Sequence, residues 1–326
     1  MHSKLSRSSI ISAVVGGGAW LLLLPFSLSD SLEGDLIQRV LLLGVLVIVP
    51  LGLALITSLS ESRSQLIAVA AQAQPFAAWA VIISAFRPPG LIATGLSALW
   101  LIITGLIGLE GFLRLFGLRK FDVPVVANIS VIAGMVYLPV GAVWLIMSRL
   151  GIQFLGFGDT IVLLTAVHFH FAGFAAPLLV GLTGYQLRNS TVVQTLLVFV
   201  TICVIAGTPL VAAGITVSPI VALLGAIVIS LGLFGLALLN FVWIIPNITS
   251  WLPRLLLIIS SIACLPAMAL AGVYAYSIVF QKLIVDIPQM TMTHGLLNAF
   301  GFSLCGLAAW VLMVKREQGF QDREIC

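Results

Sequence analysis

The stretch VLLLGVLVIVPLGLALI, Val40 to Ile56, contains no charged side chain. A bilayer-spanning helix needs about 20 mostly apolar residues, and this run, with its flanks, supplies them. Similar runs recur along the whole chain. Of the 326 residues, 61% are hydrophobic and 8% charged, whereas soluble domains carry roughly 25% charged residues. Mean hydropathy is +1.21. No water-soluble fold hides that much apolar surface, so the chain reads as all-α: a polytopic transmembrane helix bundle of about ten helices, with residues 1–326 forming a single transmembrane domain.

Ten candidate spans cover residues 10–28, 39–59, 67–86, 89–109, 124–147, 159–183, 191–215, 217–243, 253–280 and 290–314. The division between the seventh and eighth rests on Gly214 and Pro219. The most charged connection is Glu110 to Asp122. With the N-terminus in the cytoplasm, eleven of the fifteen Lys and Arg residues fall inside, and only Arg39, Arg87, Arg149 and Lys282 fall outside. That bias follows the positive-inside rule and predicts both termini in the cytoplasm, the chain lying in a bacterial inner membrane. The first span reads as a retained helix, because its apolar run exceeds the roughly 7–15 residues of a signal-peptide core.

The net charge of +4 is scattered over short loops, with no basic cluster and no nucleic-acid motif. Nucleic acid is therefore not an expected partner; membrane lipid and a hydrophobic small molecule are. The cysteines Cys203, Cys264, Cys305 and Cys326 have no Cys-x-x-Cys spacing, and no metal set is expected. Nucleophile elbow, P-loop and His-Glu-x-x-His motifs are missing too.

Polar side chains inside a membrane cost a few kcal/mol each, so ionisable groups there mark candidate sites. Two strings stand out: His168-Phe-His170-Phe on the sixth span and Thr293-His294-Gly-Leu-Leu-Asn298 on the tenth. His168, His170, His294 and Asn298 are the candidate catalytic residues. On a regular helix His168 and His170 point about 200° apart. His294, Asn298, Gly301 and Cys305 follow an i, i+4, i+7, i+11 stripe. Counting residues from the span edges puts both motifs at one height in the outer half of the membrane, His168 roughly 13 Å deep. Pro177 is expected to free the carbonyl of Gly173, four residues back. Tyr274 and Tyr276 read as interfacial tyrosines that could reach the same site. Asn128, Tyr137 and Asn240 read as helix-packing contacts. Asp159 and Asp286 read as loop acids at the mouths of the two motif helices.

The strings His168-Phe-His-Phe-Ala-Gly-Phe174 and Thr293-His-Gly-Leu-Leu-Asn-Ala-Phe-Gly-Phe302 resemble those of the YndJ-like family. The resemblance implies a bacterial integral membrane protein and brings no chemistry with it. His-Phe-His-Phe is also similar to the His-Phe-His-Tyr string of heme–copper oxidases. There two histidines serve two hemes, which would make His168 and His170, or either with His294, axial heme ligands. Here Phe171 replaces the tyrosine and the copper-binding histidines are missing. Two classes of function stay open. One is a membrane enzyme doing acid–base chemistry, isomerisation or cyclisation, on a hydrophobic molecule. The other is a heme-binding protein or a proton-linked small-molecule transporter, although few membrane carboxylates are present to couple ions.

Overall fold

The computed structural model describes residues 4–59, 64–117, 125–187 and 190–324. Arg63, Arg119, Lys120, Asp122, Arg188 and Cys326, used in the charge and cysteine readings, lie outside them. The described residues form ten long helices: α1 (Arg7–Leu22), α2 (Leu32–Ser58), α3 (Gln65–Ala85), α4 (Leu91–Leu115), α5 (Val125–Leu150), α6 (Asp159–Gln186), α7 (Thr191–Val217), α8 (Pro219–Asn247), α9 (Trp251–Val279) and α10 (Ile287–Gln318). All but α1 are long and apolar enough to cross a membrane.

Local chemistry sets the starts. Serines 6, 31, 64, 190 and 218 each accept a first-turn backbone N–H. Asp286 forms a capping box with Gln289 at the head of α10, satisfying two amides that a helix start leaves open. Ser218 is extended and Pro219 begins α8, so the seventh and eighth spans divide where the sequence places the break.

α2 is almost wholly enclosed by protein, and α6 is the next most enclosed, as expected of helices apolar all round. α3, α4 and α5 pack in series on one side, and α7, α8 and α9 on the other, with α2, α6 and α10 between them. Both described chain ends lie on one face. Leu5 N–H donates to Gln318 Oε1 (3.4 Å), Ser6 N–H to Thr57 Oγ1 (3.1 Å), and Gln186 to Glu317 (3.3 Å). At the far face, Trp20 Nε1–H donates to Arg39 O (2.8 Å) and Gly90 N–H to Arg149 O (2.7 Å). α1 thus runs from one face toward the other.

Two span edges differ from the sequence reading. α1 stops at Leu22 rather than near residue 28, because Arg39 captures the chain there. Its guanidinium donates to Leu23 O (3.2 Å) and Phe26 O (2.7 Å) while paired to Asp35 (2.5 Å). α4 runs on to Leu115, so Glu110 and Arg114 belong to a helix rather than a loop. Arg114 Nε donates to Glu110 Oε1 (2.7 Å), Ser64 Oγ donates to Oε2 (2.5 Å), and both charged side chains are buried.

Several helices widen into π turns, at residues 44–48, 169–175, 240–244, 291–295 and 297–304. Three of these end just before a proline: Pro50, Pro177 and Pro246. In π register a backbone N–H bonds the carbonyl five residues back; Val49 thus bonds Gly44 O, and Ala176 bonds Phe171 O. The next residue is proline and has no N–H, so the orphaned carbonyls are those of Val45 and Ala172. Buried side chains from neighbouring helices meet them. Gln74 Nε2 donates to Val45 O (3.0 Å) and Thr208 Oγ1 to Ala172 O (3.2 Å). The carbonyl that Pro177 frees is therefore Ala172's, one residue earlier than regular α geometry predicts for Gly173.

Candidate functional site

Both histidine motifs fall on π turns. His168 is the last residue before the turn at Phe169–Ala175, and His294 and Asn298 lie within Thr291–Gly295 and Leu297–Leu304. π turns concentrate at functional positions because they reorient side chains without breaking the helix.

The structure brings His168, His294 and Asn298 to one cavity of about 390 Å³. That volume lies within the roughly 300–1,000 Å³ typical of small-molecule sites. The cavity occupies the half of the bundle toward the far face. Its lining comes from the beginnings of α2, α6, α8 and α10 and the ends of α7 and α9. Tyr274 lines it as well, whereas Tyr276 is 40% exposed and packs on Phe280. Thr165, Thr291 and Ser303 complete the polar lining. The Ser303 hydroxyl is buried and without a hydrogen-bond partner. Sequence reasoning missed it because a lone serine in an apolar helix carries no signal.

His294 is held from two sides. Its Nδ1–H donates to the backbone carbonyl of Ala267 on α9 (2.7 Å), which fixes the tautomer and leaves Nε2 as an acceptor. Asn298 Nδ2 donates to His294 O (2.9 Å) and lies 3.3 Å from Nδ1 and 3.2 Å from Nε2. A group nearly equidistant from both ring nitrogens cannot lie on the Nε2 lone-pair axis, so that lone pair stays available. His168 lies within electrostatic reach of His294. Its Nε2 is buried and meets no hydrogen-bond partner, an arrangement that costs about 1–3 kcal/mol for a neutral group.

His170 is not brought to this cavity. It is fully buried, donates from Nδ1 to Ala166 O (2.7 Å) and accepts at Nε2 from the Trp100 indole (2.9 Å). Its ring rests on Gly141, where a Cβ would come within 2.8 Å of Nδ1, and its Cβ on Gly44. Both nitrogens are spoken for, so His170 has no lone pair left for a heme iron or a proton-transfer step. The pairing of His168 with His170 as opposed heme ligands does not fit this geometry. Among the described residues no group of three or more His, Cys, Asp or Glu is placed to hold a metal ion.

The stripe on α10 also shifts. His294 and Asn298 face the cavity, but Gly301 packs against Ala263 and Cys305 is outside the lining, which continues instead through Phe302 and Ser303. The wider π turn moves the next facing position from Gly301 to Phe302. Asp286 is a cap, and neither it nor Asp159 lines the cavity. Asn240 links Thr183 (3.0 Å) to Ser261 (3.2 Å), Tyr137 donates to Ile205 O (2.9 Å), and Tyr185 to Asn128 (2.9 Å); all three are helix-packing contacts.

The fold and site define a polytopic α-helical membrane protein with a largely apolar cavity whose histidines and asparagine come from two motif helices. Residues 39–302, which include both motifs, match the family described as YndJ-like protein, and the chain belongs to that family. It is 28% identical over 239 residues to the protein named "Uncharacterized membrane protein YndJ" of Bacillus subtilis (strain 168), an alignment covering 73% of this chain and 41% of that one. The chain thus spans about two fifths of the length of that relative. It is a multi-pass protein of the bacterial inner membrane. No solved structure matches it.

Proposed function

We propose that the cavity binds a lipid-soluble small molecule and that His168 and His294 exchange protons with it. The observation that carries this reading is the convergence of two imidazoles and Asn298 on one otherwise apolar cavity. Neutral imidazole is the side chain best suited to proton transfer near neutral pH. His294 has its tautomer set by Ala267 and offers Nε2 as the base. An apolar cavity disfavours any resting charge, so both imidazoles rest neutral. One of them takes a proton from the bound molecule, and that same proton is returned to the molecule at a second position, directly or through the other imidazole. The composition of the molecule is unchanged, which is isomerisation or cyclisation. Ala267 O holds the His294 ring during the transfer.

The test is mass spectrometry of lipids extracted from purified wild-type protein and from His168→Ala and His294→Ala. The expected result is a molecule retained by the wild type whose unconverted isomer accumulates on the variants. Identical extracts from all three proteins would refute the reading.

A further inference from the structure

The cavity has two chemically different walls. The wall from α7 and α8, Val211 through Leu233, presents no polar side chain. The facing wall, from α6, α9 and α10, carries His168, Tyr274, His294 and Asn298. No Lys, Arg, Asp or Glu lines either wall. A permanently charged group bound there would have no counter-ion in a poorly solvated space, which is strongly unfavourable.

The hydrogen-bonding sense of the His294–Asn298 pair is also set. His294 donates through Nδ1 to Ala267 O, so its Nε2 presents a lone pair. Asn298 uses Nδ2 on His294 O, which orients the amide and leaves Oδ1 as an acceptor. Two adjacent acceptors, deep in the bundle, call for a donor. An anionic oxygen would face two lone pairs. An ether or ester oxygen would bring no proton to either.

We propose that the ligand of this cavity is an uncharged, lipid-soluble molecule that presents a hydroxyl group to His294 Nε2 and Asn298 Oδ1, with its hydrocarbon body against the α7–α8 wall. This rests on the cavity being a ligand site, as proposed above, and adds the chemical class of what enters it: an isoprenoid alcohol, phenol or quinol rather than a phospholipid or a fatty acid anion.

The test is a series on one hydrocarbon chain, titrated calorimetrically into the full-length protein in detergent: farnesol, farnesyl methyl ether and farnesyl phosphate. The expected result is that farnesol binds, that the ether binds about tenfold more weakly for loss of the donated hydrogen bond, and that the phosphate binds more weakly still. Asn298→Ala should weaken farnesol without weakening the ether. The ether comparison uses unmodified protein, so it stands even if that variant folds poorly. Equal affinity for alcohol and ether, or preference for the phosphate, would overturn the hydroxyl assignment while leaving the cavity as a site. No binding by any of the three, or farnesol binding undiminished in Ala222→Phe, which fills the cavity, would overturn both readings.

Discussion

The indole N–H of Trp100 donates to Nε2 of His170 across 2.9 Å, with both side chains wholly excluded from solvent. This bond ties α4 to the π turn of α6, two residues beyond His168 at the cavity's edge. Trp100→Phe keeps an aromatic ring but leaves Nε2 unsatisfied. The expected loss is about 1–3 kcal/mol of stability, read as a lower melting temperature in detergent.

The two histidines of His168-Phe-His170 should separate experimentally. His168→Ala, His294→Ala and Asn298→Ala are expected to abolish ligand conversion while the proteins insert and purify as monodisperse samples. His170→Ala, by contrast, is expected to lower the melting temperature most of the four, because it empties a packed site and strands the Trp100 donor. Four variants of equal stability and equal activity would contradict the division of roles.

The buried Glu110–Arg114 pair makes a sharper stability prediction. Removing one partner takes away the 2.7 Å charged hydrogen bond, and breaking a buried pair costs about 3–5 kcal/mol. Glu110→Gln should therefore be strongly destabilising, and Glu110→Gln combined with Arg114→Met less so than the two single changes added together. Thermal unfolding of the three proteins checks this.

Gln74 donates to Val45 O and accepts from Ser12 Oγ (2.5 Å). Gln74→Leu leaves a buried carbonyl and a buried hydroxyl unmet, and should cost about 2 kcal/mol or more. Thr208→Val removes one donor shared between Ala172 O and Val204 O and should cost about 1 kcal/mol. Both effects are expected in stability and not in affinity for a cavity ligand.

With His170 committed, heme ligation by the histidines of the two motifs falls to His168 and His294. The ultraviolet–visible spectrum of purified protein, oxidised and reduced, is expected to show no Soret band. A band that shifts on reduction and is lost in His168→Ala would replace proton transfer with heme binding as the use of this cavity.

Hydropathy made the helical architecture legible, since apolar runs of spanning length have few alternatives in lipid. The break at Ser218-Pro219 and the common height of the two motifs were legible for the same reason: they depend on counting residues. What escaped was rotation about the helix axes. Nothing in the letters at 169–175 or 291–304 announces a π turn, so Gly301 and Cys305 were put on one stripe with His294 and Asn298, whereas the cavity face continues through Phe302 and Ser303. Glu110 and Arg114 were misplaced because charge reads as loop, whereas an i, i+4 pair neutralises itself well enough to stay on a buried helix. His170 looked equivalent to His168 because its partner Trp100 is remote in sequence.

The π turns make residue number as important as residue identity. A helix with one extra residue in a turn is out of phase with a regular helix from that point onward, by about 100°. His168 lies before such a turn and Pro177 after it, so the interval between them sets the phase between the cavity-facing and bundle-facing halves of α6. Deleting one residue, such as Ala172, would let the turn relax to regular winding without removing any polar side chain from the site. Everything beyond would then rotate away from Ser130, which now donates to Pro177 O (2.8 Å). The motif helices are in this sense screws cut to a fixed thread, more tolerant of altered side chains than of altered length.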